Sequence, residues 1–214
     1  MRMGVRLQDY VRAFLDTRTI AELEDLLQRA TRELDYDRFT LVQHIDLAGP
    51  LDGAVALTTY DLDWVRRIIA RRYFRFDPVI ATSHRYGAPF AWDRIPDLIH
   101  VTRRQHRMFD EARQFGILDG LTVPLHMPGQ RLATCRFASA TKKIVLPEQL
   151  ATAQVVATFA YQSALQILRG NKLQPARVKL TDRHVDCIAL SAAGKTDWEI
   201  GRCSASRNRP CTAI

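Results

Sequence analysis

The sequence has 214 residues, of which 47% are hydrophobic and 25% are charged, and its formal net charge at pH 7 is +8. This length and apolar content indicate a globular chain with room for one large domain and a small one. No stretch approaches the roughly 18 to 20 apolar residues of a membrane span, and residues 1–10 lack a secretion signal, so we expect a cytoplasmic protein without a membrane partner.

Helices and short strands alternate along the first half of the chain. Thr19 and Glu22 have the spacing of a capping box, which predicts a helix that begins there and carries an apolar stripe to Leu34. The segments 39–45 and 54–58 have the composition of strands and are separated by turn residues, which predicts an antiparallel pair.

The alternation continues through the middle of the sequence. Segment 62–73 predicts a helix with a basic outer face, and Asp77 with Pro78 is expected to end that region. Segment 102–115 predicts another helix that stops at Gly116, a residue typical of helix C-termini.

Two more strands and a long helix follow. The strands are predicted over 121–126 and 132–139, on either side of a turn at 127–130. The helix over 147–168 has more apolar surface than one face needs, so we expect it to pack on the sheet and on a second subunit; the alternative is that it only covers the sheet. Residues 170–177 combine Gly, Asn, Lys, Gln and Pro and are predicted to be a linker.

The excess of positive charge lies in the C-terminal part of the sequence. Residues 169–214 hold nine Lys and Arg against four Asp and Glu, whereas the preceding 168 residues hold 22 against 19. Such a basic end is typical of a nucleic-acid-binding segment, and an ordinary solvated surface explains it equally well.

No pattern typical of a catalytic or metal site emerges. The four cysteines and six histidines lack the spacing of a disulfide framework or a zinc site, and His184 with Cys187, the nearest approach, fits a structural role. The sequence also lacks a nucleophile elbow, a Gly-rich phosphate loop and a convincing pair of carboxylates. We therefore predict no metal, no cofactor and no enzyme activity.

An aromatic cluster with one acid is the most distinctive feature of the chain. Its members are Tyr60, Trp64, Asp77, Phe90 and Trp92. Taken alone, Tyr and Trp at this spacing are more often core residues than ligand contacts, and an Asp next to Pro is usually part of a turn.

In order and spacing these residues resemble the autoinducer-binding domain of LuxR-type quorum-sensing regulators. The resemblance is carried by Tyr60, Trp64, Asp77-Pro78-Val79, Pro89-Phe90-Ala91-Trp92, Phe115-Gly116-Ile117, Gly120 and Thr122-Val123-Pro124. It implies an α+β fold, an α-β-α sandwich with a central antiparallel sheet over residues 1–169. An all-α helix-turn-helix segment over 178–214 is implied after the linker.

The resemblance also implies the ligand and the roles of its contacts. The ligand is an N-acyl homoserine lactone, bound by a homodimer or a heterodimer with full-length relatives. Trp64 is expected to donate to the lactone carbonyl, Asp77 to accept from the amide N–H and Tyr60 to donate to the acyl carbonyl. Phe90 and Trp92 are expected to wall the lactone end.

Two residues depart from the family pattern. Where the family commonly has a second Tyr that faces the ligand, this chain has Ile68, and where it commonly has Ser or Thr, this chain has Arg136. A buried Arg136 must pair with a carboxylate, for which Asp77 is a candidate, or extend to solvent. We therefore expect an altered ligand or a loss of affinity.

The C-terminal segment matches the family only in part. Thr181 and Thr196 are predicted to cap two helices, and Lys195 and Thr196 are remnants of the DNA-binding motif. The family pattern stops after Gly201, before the recognition helix, which we interpret as truncation by a shifted reading frame. We then expect residues 179–214 to be loosely ordered and specific DNA binding to be absent.

Three functions remain open. The first is a lactone sensor that sequesters full-length relatives in inactive heterodimers. The second is a transcription factor of intact function whose DNA-binding half is missing from this sequence. The third is a carrier or enzyme for small amphiphiles.

Overall fold

The computed structural model describes residues 7–46, 53–170, 181–196 and 198–201. The chain divides into two compact units, Met1–Leu173 and Gln174–Ile214. The division falls in segment 171–180, which lies outside the described residues, so the boundaries of the linker and of the two domains stay predictions. Within the described ranges, no helix is long and apolar enough to cross a membrane.

The first unit is built around one antiparallel sheet. Its strands are β1 (Arg38–Gln43), β2 (Ala56–Thr58), β3 (Phe90–Ala91), β4 (Asp119–Leu125) and β5 (Ala133–Ser139). They lie in the order β2-β1-β5-β4-β3, and every neighbouring pair is antiparallel. The predicted antiparallel pair is confirmed as β1 and β2, whereas the two-residue strand β3 was not predicted.

Helices of very different length surround the sheet. They are α1 (Leu7–Asp16), α2 (Ile20–Glu33), α3 (Leu62–Ala70), α4 (Pro78–Ser83), α5 (Ile95–Leu98), α6 (Arg103–Arg113) and α7 (Pro147–Gly170), with short 3-10 helices at Tyr73–Arg75 and Trp92–Arg94. The predicted capping box of α2 is confirmed, because Thr19 Oγ1 accepts from the Glu22 N–H at 3.2 Å and Glu22 Oε2 accepts from the Thr19 N–H at 3.3 Å.

Each face of the sheet carries its own core, which confirms the α-β-α sandwich. Alternate residues of β1 and β5, among them Phe39, Leu41, Cys135 and Phe137, face a core shared with α1, α2 and α7. The opposite face carries a second core, centred on Trp64, Trp92 and the helices between β2 and β4.

Helix α7 lies on the first of these cores. Its apolar side chains, such as Val156, Tyr161 and Ile167, are buried within the same subunit, and none of its large hydrophobic residues is exposed. Contacts with the sheet, α1 and α2 bury most of its apolar side, while Val155 and Phe159 stay half-buried. A dimer through α7 stays a prediction.

The region around Asp77 differs from the prediction. We expected Asp77 and Pro78 to end a helical region, but they begin α4: Asp77 Oδ1 accepts from the Val79 N–H at 2.8 Å, and Pro78 occupies the first turn. Asp at the N-cap with Pro just after it is a favourable helix start, because proline has no N–H to leave unpaired. Helix α3 ends at Ala70, before the predicted Tyr73, because Arg72 adopts a left-handed conformation with φ of 52°.

The second unit contains helix α8 (Asp182–Ala192) and a helical turn at 198–201. The predicted caps are confirmed: Thr181 Oγ1 accepts from the His184 N–H at 3.3 Å, and Thr196 Oγ1 accepts from the Glu199 N–H at 3.4 Å. No residue of α8 is buried. Residues 202–214 lie outside the described residues, so the predicted truncation stays a prediction.

Candidate ligand-binding site

A cavity of about 490 Å³ lies between the sheet and the layer formed by α3 and α4. It exists because the residues of β1, β2 and β5 that point to this face are small, polar or flexible and leave the space beside them unfilled. The strand residues in its wall are Thr40, Val42, Gln43, Ala56, Thr58, Thr134 and Arg136. The facing helices contribute mostly apolar side chains, namely Val65, Ile68, Ile69 and Ile80. The cavity can therefore hold an amphiphile with a polar group and an apolar chain.

Tyr60 supplies a hydrogen-bonding group that is not used within the described protein. Its ring lines the cavity, the residue is 8% exposed, and its hydroxyl is buried without a hydrogen-bond partner. Burial raises the pKa of this phenol, so the hydroxyl keeps its proton. A buried hydroxyl without a partner costs roughly 1–3 kcal/mol, so an acceptor placed beside it is bound favourably.

Asp77 and Arg136 form a buried ion pair in the same wall. Arg136 Nη1 donates to Asp77 Oδ2 at 2.6 Å, and the side chains are 14% and 5% exposed. The requirement that a buried Arg136 pair with a carboxylate is thus met by Asp77. The N-cap position fixes the carboxylate, since its other oxygen is held by Val79 at 2.8 Å.

Two histidines, His44 and His84, also line the cavity, and sequence analysis missed both. Together with Tyr60, Asp77 and Arg136 they form the part of the wall that we call the polar end. His44 Nδ1 lies 2.9 Å from His84 Nε2, and His44 Nε2 lies 3.4 Å from Thr134 Oγ1. Burial, and then the positive charge of Arg136, lowers the pKa of His44 to about 3. One ring nitrogen of the pair donates and the other accepts. The two residues are separated by 40 positions on different elements, so no spacing in the sequence signals their contact.

Three predicted contact residues lie in the core beside the cavity and do not line it. Trp64 is 2% exposed and packs against Tyr73 and Phe115, with ring centroids 5.9 and 5.3 Å away. Trp92 Nε1 donates to Thr122 Oγ1 at 2.8 Å, and Phe90 pairs with Thr122 in the sheet. The ligand contacts expected of Trp64, Phe90 and Trp92 stay predictions.

Ile68 lies in the cavity wall as the sequence suggested. Its neighbours there, Ile69 and Val65, are also apolar, so this part of the wall offers no polar contact. Tyr60, Asp77 and Arg136 therefore supply polar groups from other parts of the wall, which also includes an ion pair between Arg75 and Asp46 at 3.2 Å.

The remaining candidate positions have ordinary surroundings. Lys195 Nζ lies 3.5 Å from Glu199 Oε1, and Thr196 caps the turn that follows; their part in DNA binding stays a prediction. Among the residues that the structure describes, no group of three or more His, Cys, Asp or Glu could hold a metal ion.

Comparison with known proteins connects this geometry to a family. A family model described as the autoinducer binding domain matches residues 19–164. The putative HTH-type transcriptional regulator y4qH of Sinorhizobium fredii is 30% identical over 145 residues, which cover 68% of this chain and 44% of that protein. The transcriptional activator protein VanR of Vibrio anguillarum is 29% identical over 181 residues, which cover 84% of this chain and 74% of that protein.

A solved structure shows the same fold. The crystal structure of Escherichia coli SdiA matches 93% of this chain and 82% of its own with a TM-score of 0.64 and 19% sequence identity. The family match extends over most of the first unit and includes every residue of the cavity wall named above. The chain belongs to the autoinducer-binding family of LuxR-type quorum-sensing transcriptional regulators.

Proposed function

We propose that this chain senses an acyl autoinducer, of which N-acyl homoserine lactones are the leading class, by enclosing it in the cavity between the sheet and α3 and α4. The observation that carries the proposal is the buried, unpartnered hydroxyl of Tyr60 beside the ion pair of Asp77 and Arg136, in a cavity whose facing helix α3 contributes apolar side chains. The polar end matches a lactone or acyl carbonyl, and the apolar part matches an acyl chain.

A solved relative supports this class of ligand. SdiA has been solved in complex with octanoyl-rac-glycerol, which is itself an acyl chain on a polar head group. The cavity volume of about 490 Å³ lies within the range of small-molecule sites, roughly 300–1,000 Å³.

Isothermal titration with acyl homoserine lactones of short, medium and long chain tests the proposal. Ile68→Trp should fill the cavity and abolish the binding heat. Leu62→Trp is the matched control, because Leu62 is on the same helix but 68% exposed and outside the cavity wall. Equal binding by both variants would place the ligand elsewhere and refute the proposal.

We also propose that the chain affects transcription through heterodimers with full-length relatives and does not bind DNA specifically by itself. The relatives y4qH and VanR are described as transcriptional regulators, and the chain spans 44% and 74% of their lengths. Selection from a pool of random DNA duplexes tests whether this chain recognises a sequence. Enrichment of one motif would contradict the expectation of absent DNA binding, and no enrichment would agree with it.

Partnership with other subunits is also proposed from the family alone. Sedimentation with and without an acyl lactone tests the homodimer, and co-purification with a full-length relative tests the heterodimer. A monomer in every case would refute both.

A further inference from the structure

Each carboxylate oxygen of Asp77 already accepts a hydrogen bond from the protein itself. One carboxylate oxygen accepts from the Val79 N–H at 2.8 Å and the other from Arg136 at 2.6 Å. The residue is 5% exposed, and its negative charge is balanced by the guanidinium. An amide N–H of a ligand that approached Asp77 would share an oxygen with a stronger, charged donor.

Tyr60 and Arg136 in the same wall have hydrogen-bond donors that the described part of the protein does not use. The Tyr60 hydroxyl is buried without a partner, and Arg136 uses Nη1 for Asp77 and Nε for Thr134 Oγ1 at 3.4 Å. An arginine has five N–H donors and no acceptor, so the other N–H groups of Arg136 remain for a ligand. At this end of the cavity, the protein therefore offers hydrogen-bond donors, and acceptor atoms of a ligand fit them best.

Charge balance favours a neutral ligand. The positive charge of Arg136 is compensated by Asp77, and the lowered pKa of the half-buried His44 keeps that ring neutral. A carboxylate brought into this wall would be a second anion against one cation, in a region where an unpaired charge is expensive.

We propose that this cavity selects neutral acyl compounds by the acceptor oxygens of their head group and does not require an amide N–H. The class includes acyl esters and ketones as well as acyl amides, with the carbonyl and ring oxygens facing Tyr60 and Arg136. The inference rests on the proposed function, since it concerns the specificity of the same cavity.

A pair of ligands that differ in one group tests it on the unmodified protein. The first is N-octanoyl homoserine lactone, and the second is the ester in which oxygen replaces its amide N–H. We expect their dissociation constants by isothermal titration to agree within about threefold. A loss of about tenfold or more for the ester would overturn the inference while leaving the proposed function intact.

Two further outcomes distinguish a failure of the neutral-ligand inference from a failure of the proposed function. If octanoate binds more tightly than both lactones, the polar end is an anion site and the inference of a neutral ligand fails. If neither lactone, nor octanoate, nor an octanoyl glycerol binds, the proposed function fails as well.

The variant Arg136→Ser tests whether Arg136 is the reason why the cavity does not require an amide N–H. With Asp77 freed, the amide should be preferred over the ester by about tenfold. Circular dichroism and thermal unfolding establish that the variant is folded before titration. A folded variant that still binds amide and ester equally would show that Arg136 is not the reason for the tolerance; if it does not fold, the ligand pair on the unmodified protein still decides.

Discussion

At the scale of single residues, the chain provides a natural comparison between two buried tyrosines. Tyr60 and Tyr36 are 8% and 3% exposed, and the hydroxyl of each is buried without a partner. They belong to opposite faces of the sheet, and only Tyr60 lines the cavity. The same phenol group therefore lines the candidate site at Tyr60 and lies in the hydrophobic core, away from the cavity, at Tyr36.

Removing each hydroxyl separates a binding role from a packing role. Tyr60→Phe and Tyr36→Phe should each leave the free energy of unfolding unchanged or raise it by up to about 1 kcal/mol, because a buried unpaired hydroxyl is lost. Only Tyr60→Phe should weaken binding of an acyl lactone, by about tenfold. Urea unfolding and isothermal titration measure the two effects, and equal affinities for both variants would count against a ligand contact by Tyr60.

The ion pair of Asp77 and Arg136 makes a second prediction at this scale. Asp77→Ala leaves a buried guanidinium without its partner and removes the cap of α4, so we expect a loss of about 3–5 kcal/mol in the free energy of unfolding. Asp97→Ala is the matched control, since its ion pair with Arg94, at 2.8 Å, has side chains that are 63% and 65% exposed. The control should lose less than about 1 kcal/mol. If the two variants lose similar stability in urea unfolding, the buried pair contributes no more to stability than the exposed pair.

At the scale of elements, one glycine fixes how the short 3-10 helix at Trp92–Arg94 packs on the sheet. A Cβ added to Gly120 of β4 would lie 2.4 Å from the Phe137 carbonyl oxygen and 3.0 Å from the Trp92 ring. The backbone oxygen belongs to the neighbouring strand β5, so it cannot rotate away. Gly120 is therefore what allows the indole to lie flat enough on the sheet to reach Thr122.

Gly120→Ala should lower the free energy of unfolding by about 2–3 kcal/mol, because overpacking forces β4 and β5 apart. Gly87→Ala is the control: a Cβ there meets nothing within 4 Å. It should change stability by less than about 1 kcal/mol, in the stabilising direction if the backbone tolerates alanine. Thermal unfolding of the two variants side by side decides the point, and equal melting temperatures would contradict it.

The sequence predicts those helices and strands that carry a local signal and misses those that are too short for a periodic pattern. The capping box of α2 and the turn between β4 and β5 are local signals, so these elements were predicted; the capping box of α6 was not noticed. Strand β3 has two residues, and α4 has six, which is too short for a periodic pattern. Asp77 was identified as polar and functional, but its local role as an N-cap was missed because Asp-Pro is equally typical of a turn.

The candidate site was predicted less completely than the fold. Tyr60, Asp77, Ile68 and Arg136 do line the cavity, yet the two histidines come together only through tertiary packing. The aromatic pattern also could not distinguish the wall of the cavity from the core directly behind it, where Trp64 lies.

At the scale of the whole molecule, His44 couples stability to pH. Its pKa falls from 6.5 to about 3 on folding, so between these values the unfolded chain binds a proton that the folded chain does not. Stability contributed by the neutral ring is therefore complete above about pH 6.5 and is lost as pH falls.

We expect the free energy of unfolding to decrease by up to about 1.4 kcal/mol per pH unit from this residue as pH falls below about 6.5. His44→Gln should flatten the profile between about pH 6 and 5, before the carboxylates titrate. Urea unfolding across this range measures the slope. An unchanged slope in the variant would assign the pH dependence to other groups.

The two compact units should also differ in local stability. Helix α7 has nine buried residues, whereas α8 has none. Amide hydrogens of α8 should therefore exchange with solvent much faster than those of α7, because few buried contacts oppose its opening. Hydrogen exchange followed by mass spectrometry measures both helices in one sample. Comparable protection of the two would show that α8 is stabilised by contacts beyond its own side chains.

The sheet has a further consequence for how this chain avoids aggregation. Its outer strands, β2 and β3, have only three and two residues, and Pro124 lies in the part of β4 that β3 does not pair with. Short edges and a proline, which lacks an N–H, give an incoming strand little backbone to pair with. Among the described residues, the edges of the sheet therefore favour side-chain surfaces over an extension of the sheet for any lasting association with another copy.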